Sequence, residues 1–236
     1  MLLHKRFLEP ETIDEPGLTP ERLWPALRGL RRINFWSGSA GIVWRPIREL
    51  AAARRLPVVR VLDIATGAGD VPLRLHRKAR RAGLRLELAG VDRNPTAIEY
   101  ARREAAARGA DIDFSTLDAM IEPLPDGYDV VMCSLFLHHL DDDHAVELLR
   151  RMAGVAKHLV LVNDLRRSRL GWWVAWCGTR LLSRSDMVHG DGPRSVKAAF
   201  TVAEAEALAR RSGLGGAEVR PCWPWRYLLK WRRSST

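Results

Sequence analysis

With three cysteines in 236 residues and no CxxC pair, this sequence lacks the material for a disulfide framework or a thiolate metal cluster. A reducing, cytoplasmic setting is the expectation. Long apolar runs are also missing. The longest, residues 170–177, falls far short of the roughly 18 residues that a membrane-spanning helix needs. The first residues, MLLHKRFLEPETIDEPG, contain no apolar stretch of signal-peptide type. Internal repeats and low-complexity tracts are absent as well. What remains is a chain with 47% hydrophobic and 28% charged residues, which excludes a disordered or fibrous protein and predicts one mid-sized soluble domain.

Charge and tryptophan are unevenly spread. The net charge is +10, yet residues 58–163 hold 14 basic and 16 acidic side chains, so the excess lies in the flanks. All nine tryptophans lie there too. Arginine richness and buried tryptophan would account for this without any function. The functional reading is a surface for a lipid-like, aromatic or anionic ligand, or for an anionic membrane. Nucleic acid is suggested by charge alone, with no recognition motif beside it.

Residues 1–19, rich in Pro, Glu and Thr, read as an extended arm. Thr19 as cap and Pro20 at the first position open a helix over 20–33, and a second is expected over 40–54. From Val58 the pattern changes to short β-branched runs alternating with helical stretches. Strands are expected at 58–64, 85–91, 112–115, 128–134 and 158–162, and helices at 71–82, 95–108 and 142–156. That alternation predicts an α/β, Rossmann-like, doubly wound and mostly parallel sheet of about seven strands. Residues 164–200 break the rhythm. A last helix over 202–212 leads to 217–221 and 226–230, expected as a terminal strand pair. The chain thus divides at 1–57, 58–163, 164–200 and 201–236.

The stretch VLDIATGAGD, residues 61–70, joins a strand to a helix through Gly67 and Gly69. Glycine there lets the backbone turn sharply and approach a ligand closely. A nicotinamide fingerprint needs a third glycine where Pro72 stands. Three carboxylates end three successive strands: Asp63, which can accept from a ligand ammonium; Asp92, placed for ribose hydroxyls; and Asp118, placed for an adenine amino group. Together they suit an amino-acid nucleoside without a pyrophosphate.

Over residues 58–163 this combination resembles the class I S-adenosylmethionine-dependent methyltransferases. Their first motif, D/E-x-G-x-G-x-G, appears here with Ala65 in place of its first glycine. The resemblance implies S-adenosylmethionine as cofactor and S-adenosylhomocysteine as product. It also implies a binding set of Asp63, Ala65, Thr66, Gly67, Gly69, Asp70, Asp92, Arg93, Asp118, Ala119 and Ser134. Cys133-Ser134-Leu135-Phe136 departs from the N/D-P-P-Y/F motif of amide and base methylation. Ser134 and the pair Asn163-Asp164 likewise depart from the metal ligands of catechol-type enzymes, so no metal is expected.

The segment SLFLHHL, residues 134–140, resembles ubiquinone/menaquinone-type and polyketide-cluster small-molecule methyltransferases. Residues 164–200 lie where such enzymes place a substrate lid, with the N-terminal helices completing the cover. The resemblance implies O-methylation of a small hydrophobic, phenolic or polyketide-like acceptor. C-methylation of a quinone precursor and a non-catalytic nucleotide-binding regulator are the alternatives. A histidine near neutrality is matched to a phenol of pKa about 10. His189, in HGDG with tight turns expected at Gly190 and Gly192 and Asp191 orienting the ring, ranks ahead of His138 and His139 as base or acceptor-binding residue. Asn163, Asp164, Trp36 and Trp172 are expected at the acceptor, inside a lid with an aromatic inner face. Arginines on its outside would rest on an anionic membrane or a carrier protein.

Overall fold

A computed structural model describes residues 3–15 and 17–234. Seven strands form one sheet: β1 (Val58–Ile64), β2 (Arg85–Asp92), β3 (Asp113–Thr116), β4 (Val130–Ser134), β5 (Leu159–Leu165), β6 (Glu218–Cys222) and β7 (Arg226–Arg232). Their order is β3-β2-β1-β4-β5-β7-β6, with β7 antiparallel to both of its neighbours and the other pairs parallel. Among the described residues, eight α-helices accompany them: α1 (Pro20–Trp36), α2 (Ser39–Arg54), α3 (Asp70–Arg81), α4 (Pro95–Ala106), α5 (Asp142–Val155), α6 (Arg169–Leu182), α7 (Asp186–Ala198) and α8 (Val202–Arg211).

Alternate residues of the central strands point to opposite faces. Leu62, Val131 and Val160 pack with α5 and α8, while Val61, Val130 and Leu161 pack with α2 and α3. Both faces are therefore buried, which is why these strands read as continuous apolar runs. Local signals fix the helix starts. Asn94 accepts from the backbone of Thr96 and Ala97, and Thr201 and Glu204 form a reciprocal capping box at α8. Gly69 enters α3 at φ +65°, and a Cβ there would lie 2.6 Å from the Phe114 ring. The carboxyl ends of β1, β2, β4 and β5 gather at one edge, and the crevice opens where the order reverses between β1 and β4.

Three expectations change. β5 continues to Leu165, so Asn163 and Asp164 are strand residues rather than the start of a loop. Residues 164–200 contain the helix pair α6 and α7, and HGDG lies inside α7 without turns at Gly190 or Gly192. The arm, with one 3-10 turn at Thr12–Asp14, is tied to the body: Arg6 donates to the carbonyls of Ala198 and Leu140 and pairs with Asp142.

Candidate active site

Above the carboxyl ends of β1, β2, β4 and β5 lies a cavity of about 680 Å³. At one end stand Asp63, Thr66, Gly67, Asp70, Asp92 and Asp118, with Ala65, Arg93, Ala119 and Ser134 also on its wall. Gly69 is not among the lining residues; it shapes the turn behind them. Asp63 accepts from the Thr66 hydroxyl at 2.8 Å through one oxygen, while its other oxygen is buried without a partner among the described residues. Burial, reinforced by Asp70 and Asp92, pushes the Asp63 carboxyl up to about 8. Asp70 has the same character: one oxygen is orphaned, and burial raises it to about 6 against the opposing charge of Arg74. Asp63 has no cation beside it and Asp70 keeps one oxygen free, and two such carboxyls on one cavity fit a ligand ammonium.

Asp92 is preorganised differently. Its oxygens accept from the backbone of Gly67 and Asn94 at 2.8 and 2.9 Å, and burial raises its pKa. Each oxygen keeps a lone pair for a hydroxyl. Asp118 accepts from Met120 N–H at 2.8 Å and ends the same wall. The donor set of an amino-acid nucleoside is thus matched along the edge: carboxylates for the amine, for the ribose, and for the base.

His138 also lines the cavity, on the turn after β4. Asp164 accepts from its backbone N–H at 3.1 Å, and the other Asp164 oxygen meets its Nδ1 at 2.6 Å. Its Nε2 lies 3.6 Å from Glu11 of the arm, which also accepts from Ser195 Oγ at 2.5 Å. Burial alone would lower the His138 pKa, but Asp164 and Glu11 together outweigh it and push it up to about 10. His138 therefore rests as an imidazolium at neutral pH, not as the near-neutral base expected from sequence. His139 turns to Asp14 at 2.7 Å and is not on the cavity wall. Among the described residues, Glu11, His138 and His139 form the grouping spaced for a metal ion, yet Asp164, Glu11 and Asp14 already balance both imidazoles.

Other expected residues are placed elsewhere. His189 meets the Ser183 carbonyl at 2.9 Å and lies outside this wall, while Asp191 accepts from the backbone of Thr12 and Ile13 rather than from the His189 ring. Asn163 is buried with its side-chain oxygen and nitrogen unpartnered among the described residues, and Asp164 contacts His138 rather than the cavity. Trp36 lines the cavity but Trp172 does not. α6 lines the cavity with Gly171, Val174, Ala175, Gly178, Thr179 and Leu182 and leaves Trp173 and Trp176 exposed. The aromatic walls come instead from Trp36, Phe136, Trp223 and Trp225. Sequence reading missed Glu11, Asn34 and Arg226, which carry no local motif.

Residues 61–158 match a protein family described as a methyltransferase domain. Over 129 residues it is 35% identical to a demethylmenaquinone methyltransferase of Thermus thermophilus, covering 54% of this chain and 56% of that one. Over 123 residues it is 32% identical to a 3-hydroxy-5-methyl-1-naphthoate 3-O-methyltransferase of Streptomyces sahachiroi, covering 51% of this chain and 34% of that one. The match thus spans little more than half of the first relative and a third of the second. The fold of the chain is similar to that of the plantazolicin methyltransferase BpumL, solved with S-adenosylhomocysteine, at a TM-score of 0.65 and 14% identity, over 90% of this chain and 96% of that one.

Proposed function

We propose that this chain transfers a methyl group from S-adenosylmethionine to the hydroxyl of a small, hydrophobic aromatic acceptor. One observation carries the reading: one apolar-walled cavity is lined both by a nucleoside-type carboxylate series and by a charged, anchored histidine. When bound, the donor supplies a methyl group on a sulfonium. Asp63 and Asp70 hold its amine, Asp92 its ribose, and Asp118 and Ala119 its adenine. The catalytic demand on the chain is then positioning and exclusion of water, which α6, α7 and the arm provide as a cover. His138, its ring fixed by Asp164 at Nδ1, gives its Nε2–H to the ionised acceptor oxygen in place of Glu11, which lies 3.6 Å from that nitrogen, once the acceptor's proton has left to solvent.

A second reading, C-methylation of a quinone precursor, is favoured by the likeness to a demethylmenaquinone methyltransferase. Incubation with methyl-labelled donor and a panel of naphthols, hydroxynaphthoates and quinols separates the two. Magnetic resonance of the product shows an ether methyl in one case and a ring methyl in the other. Absence of label on every acceptor would count against both.

The exposed side of α6 supports a peripheral role at an anionic lipid surface. Leu170, Trp173, Trp176 and Leu181 are exposed there beside Arg169 and Arg180, with the Arg180 guanidinium 4.1 Å from the Trp176 ring. Amphipathic rings flanked by cations suit the headgroup region, and the chain's +10 charge adds attraction. Among the described residues, no helix is long and apolar enough to cross a membrane.

A further inference from the structure

A second concavity, a groove of about 700 Å³, is bounded by α1, α3 and the turn after α4. Six arginines line it: Arg31 from α1, Arg74, Arg77, Arg80 and Arg81 from α3, and Arg108 beyond α4. Of its lining residues Asp70 alone is acidic, and that carboxyl is buried in a wall shared with the active-site cavity. Arg31 and Arg108 both pair with Glu104. Among the described residues, no carboxylate comes within 4.0 Å of the Arg77, Arg80 or Arg81 guanidinium. The last turn of a helix favours cations, which accounts for Arg80 and Arg81 taken singly. It does not account for the spacing. Arg74, Arg77 and Arg81 follow at three and four residues, so they share one face of α3, where like charges repel. Arg31 and Arg108 add to that charge from other segments. Arg74 is also held in place: it donates to the Arg31 carbonyl at 3.2 Å and lies 4.5 Å from the Phe35 ring centre.

We propose that this groove binds a small anion carrying two or more linked phosphate groups, at a site separate from methyl transfer. The inference goes beyond the methyltransferase reading and does not depend on it. A guanidinium takes phosphate oxygens in two-point contact, and arginines spaced along one helix face engage successive groups of a linked chain. Such a ligand also relieves the repulsion along α3. The volume lies within the range of small-ligand cavities, about 300–1,000 Å³, and three segments of the chain wall it in. That concavity favours a small molecule over a flat lipid surface or a nucleic-acid duplex. Phe35, Leu73 and Ala110 supply apolar surface for the organic part of such a ligand.

The test is calorimetric titration of inorganic tripolyphosphate into the full chain at physiological salt. The wild type should bind one equivalent, and orthophosphate at least about tenfold more weakly, the scale of a lost charge-assisted contact. Arg77→Gln combined with Arg81→Gln should weaken tripolyphosphate binding by about tenfold or more. Both side chains are exposed, so the fold does not rest on them. Replacing two exposed arginines outside the groove, Arg48→Gln with Arg220→Gln, should leave affinity within about threefold of wild type. Equal loss in the two double variants, or uptake of several equivalents, overturns the proposal in favour of diffuse attraction to a chain of net charge +10. So does an absence of binding at millimolar tripolyphosphate, or orthophosphate or citrate bound as tightly. Displacement of tripolyphosphate by S-adenosylhomocysteine would put the anion in the active-site cavity and overturn it as well. A random single-stranded oligonucleotide bound on the order of a hundredfold more tightly, through Arg77 and Arg81, would assign the groove to nucleic acid instead.

Discussion

Asp164 grips His138 twice, at the backbone N–H and at Nδ1, at 3.1 and 2.6 Å. The two residues belong to neighbouring strand ends, so the sheet itself sets the ring against the cavity. His138→Ala should lower kcat by on the order of 10²-fold, leaving affinity for S-adenosylhomocysteine unchanged, because the ring touches only the acceptor half. Asp164→Asn should lose both the anchor and the charge that keeps His138 protonated. Wild-type turnover in His138→Ala would remove the residue from the chemistry.

The pH profile follows from the same pair. A raised histidine pKa means the cation is present below about 10 and lost above it. Rate on a phenolic acceptor should rise as the acceptor ionises and decline only above pH about 10. A profile that rises through pH 6.5 to a plateau, whatever the acceptor, would indicate a neutral histidine base instead.

Donor binding should release protons. Free Asp63 holds its proton up to about pH 8, and an ammonium beside it favours the carboxylate. At pH 7, calorimetry of S-adenosylhomocysteine binding in buffers of different ionisation enthalpy should report release of close to one proton, vanishing above pH 9 and in Asp63→Asn. Proton uptake at pH 7 would contradict the assignment.

Ala65 sits at φ +53°, a conformation that L side chains adopt at a cost of about 1–2 kcal/mol. Ala65→Gly removes that strain while adding unfolded-state freedom worth about 0.4–1 kcal/mol. The net gain of roughly 0.5–1 kcal/mol should raise Tm by about 2–3 °C. A lower Tm would mean that the Ala65 methyl packs more favourably than the turn is strained.

The α6 surface should bring the protein to anionic vesicles. Sedimentation with phosphatidylglycerol vesicles should fall when Trp173 and Trp176 are both replaced by Ser, and should weaken with salt. Binding that is indifferent to both changes would place the contact elsewhere on the chain.

The central sheet was legible because β1, β4 and β5 are buried on both faces and written in β-branched residues, and because Asp63, Asp92 and Asp118 each end a strand. Other features left no local trace. α7 carries Gly190, Gly192 and Pro193, residues that read as turns, yet it is held as a helix by α6 and by Asp191 bonded to the arm. The tryptophans of α6 were expected inward because they are apolar; the helix instead turns Gly171, Ala175, Gly178 and Leu182 to the cavity and leaves Trp173 and Trp176 exposed. Glu11 and Arg226 reach the site only through tertiary contacts with segments far away in the chain, so their place in it appears only once the arm and β7 are in position.

The most direct test is a crystal structure of the chain with S-adenosylhomocysteine bound. The amine should meet Asp63, the ribose hydroxyls Asp92 and the adenine amino group Asp118, with the sulfur facing the half of the cavity that holds His138. Density in the other groove of about 700 Å³, lined by Arg31, Arg74, Arg77, Arg80, Arg81 and Arg108, or a ribose turned away from Asp92, would contradict the placement of methyl transfer in this cavity.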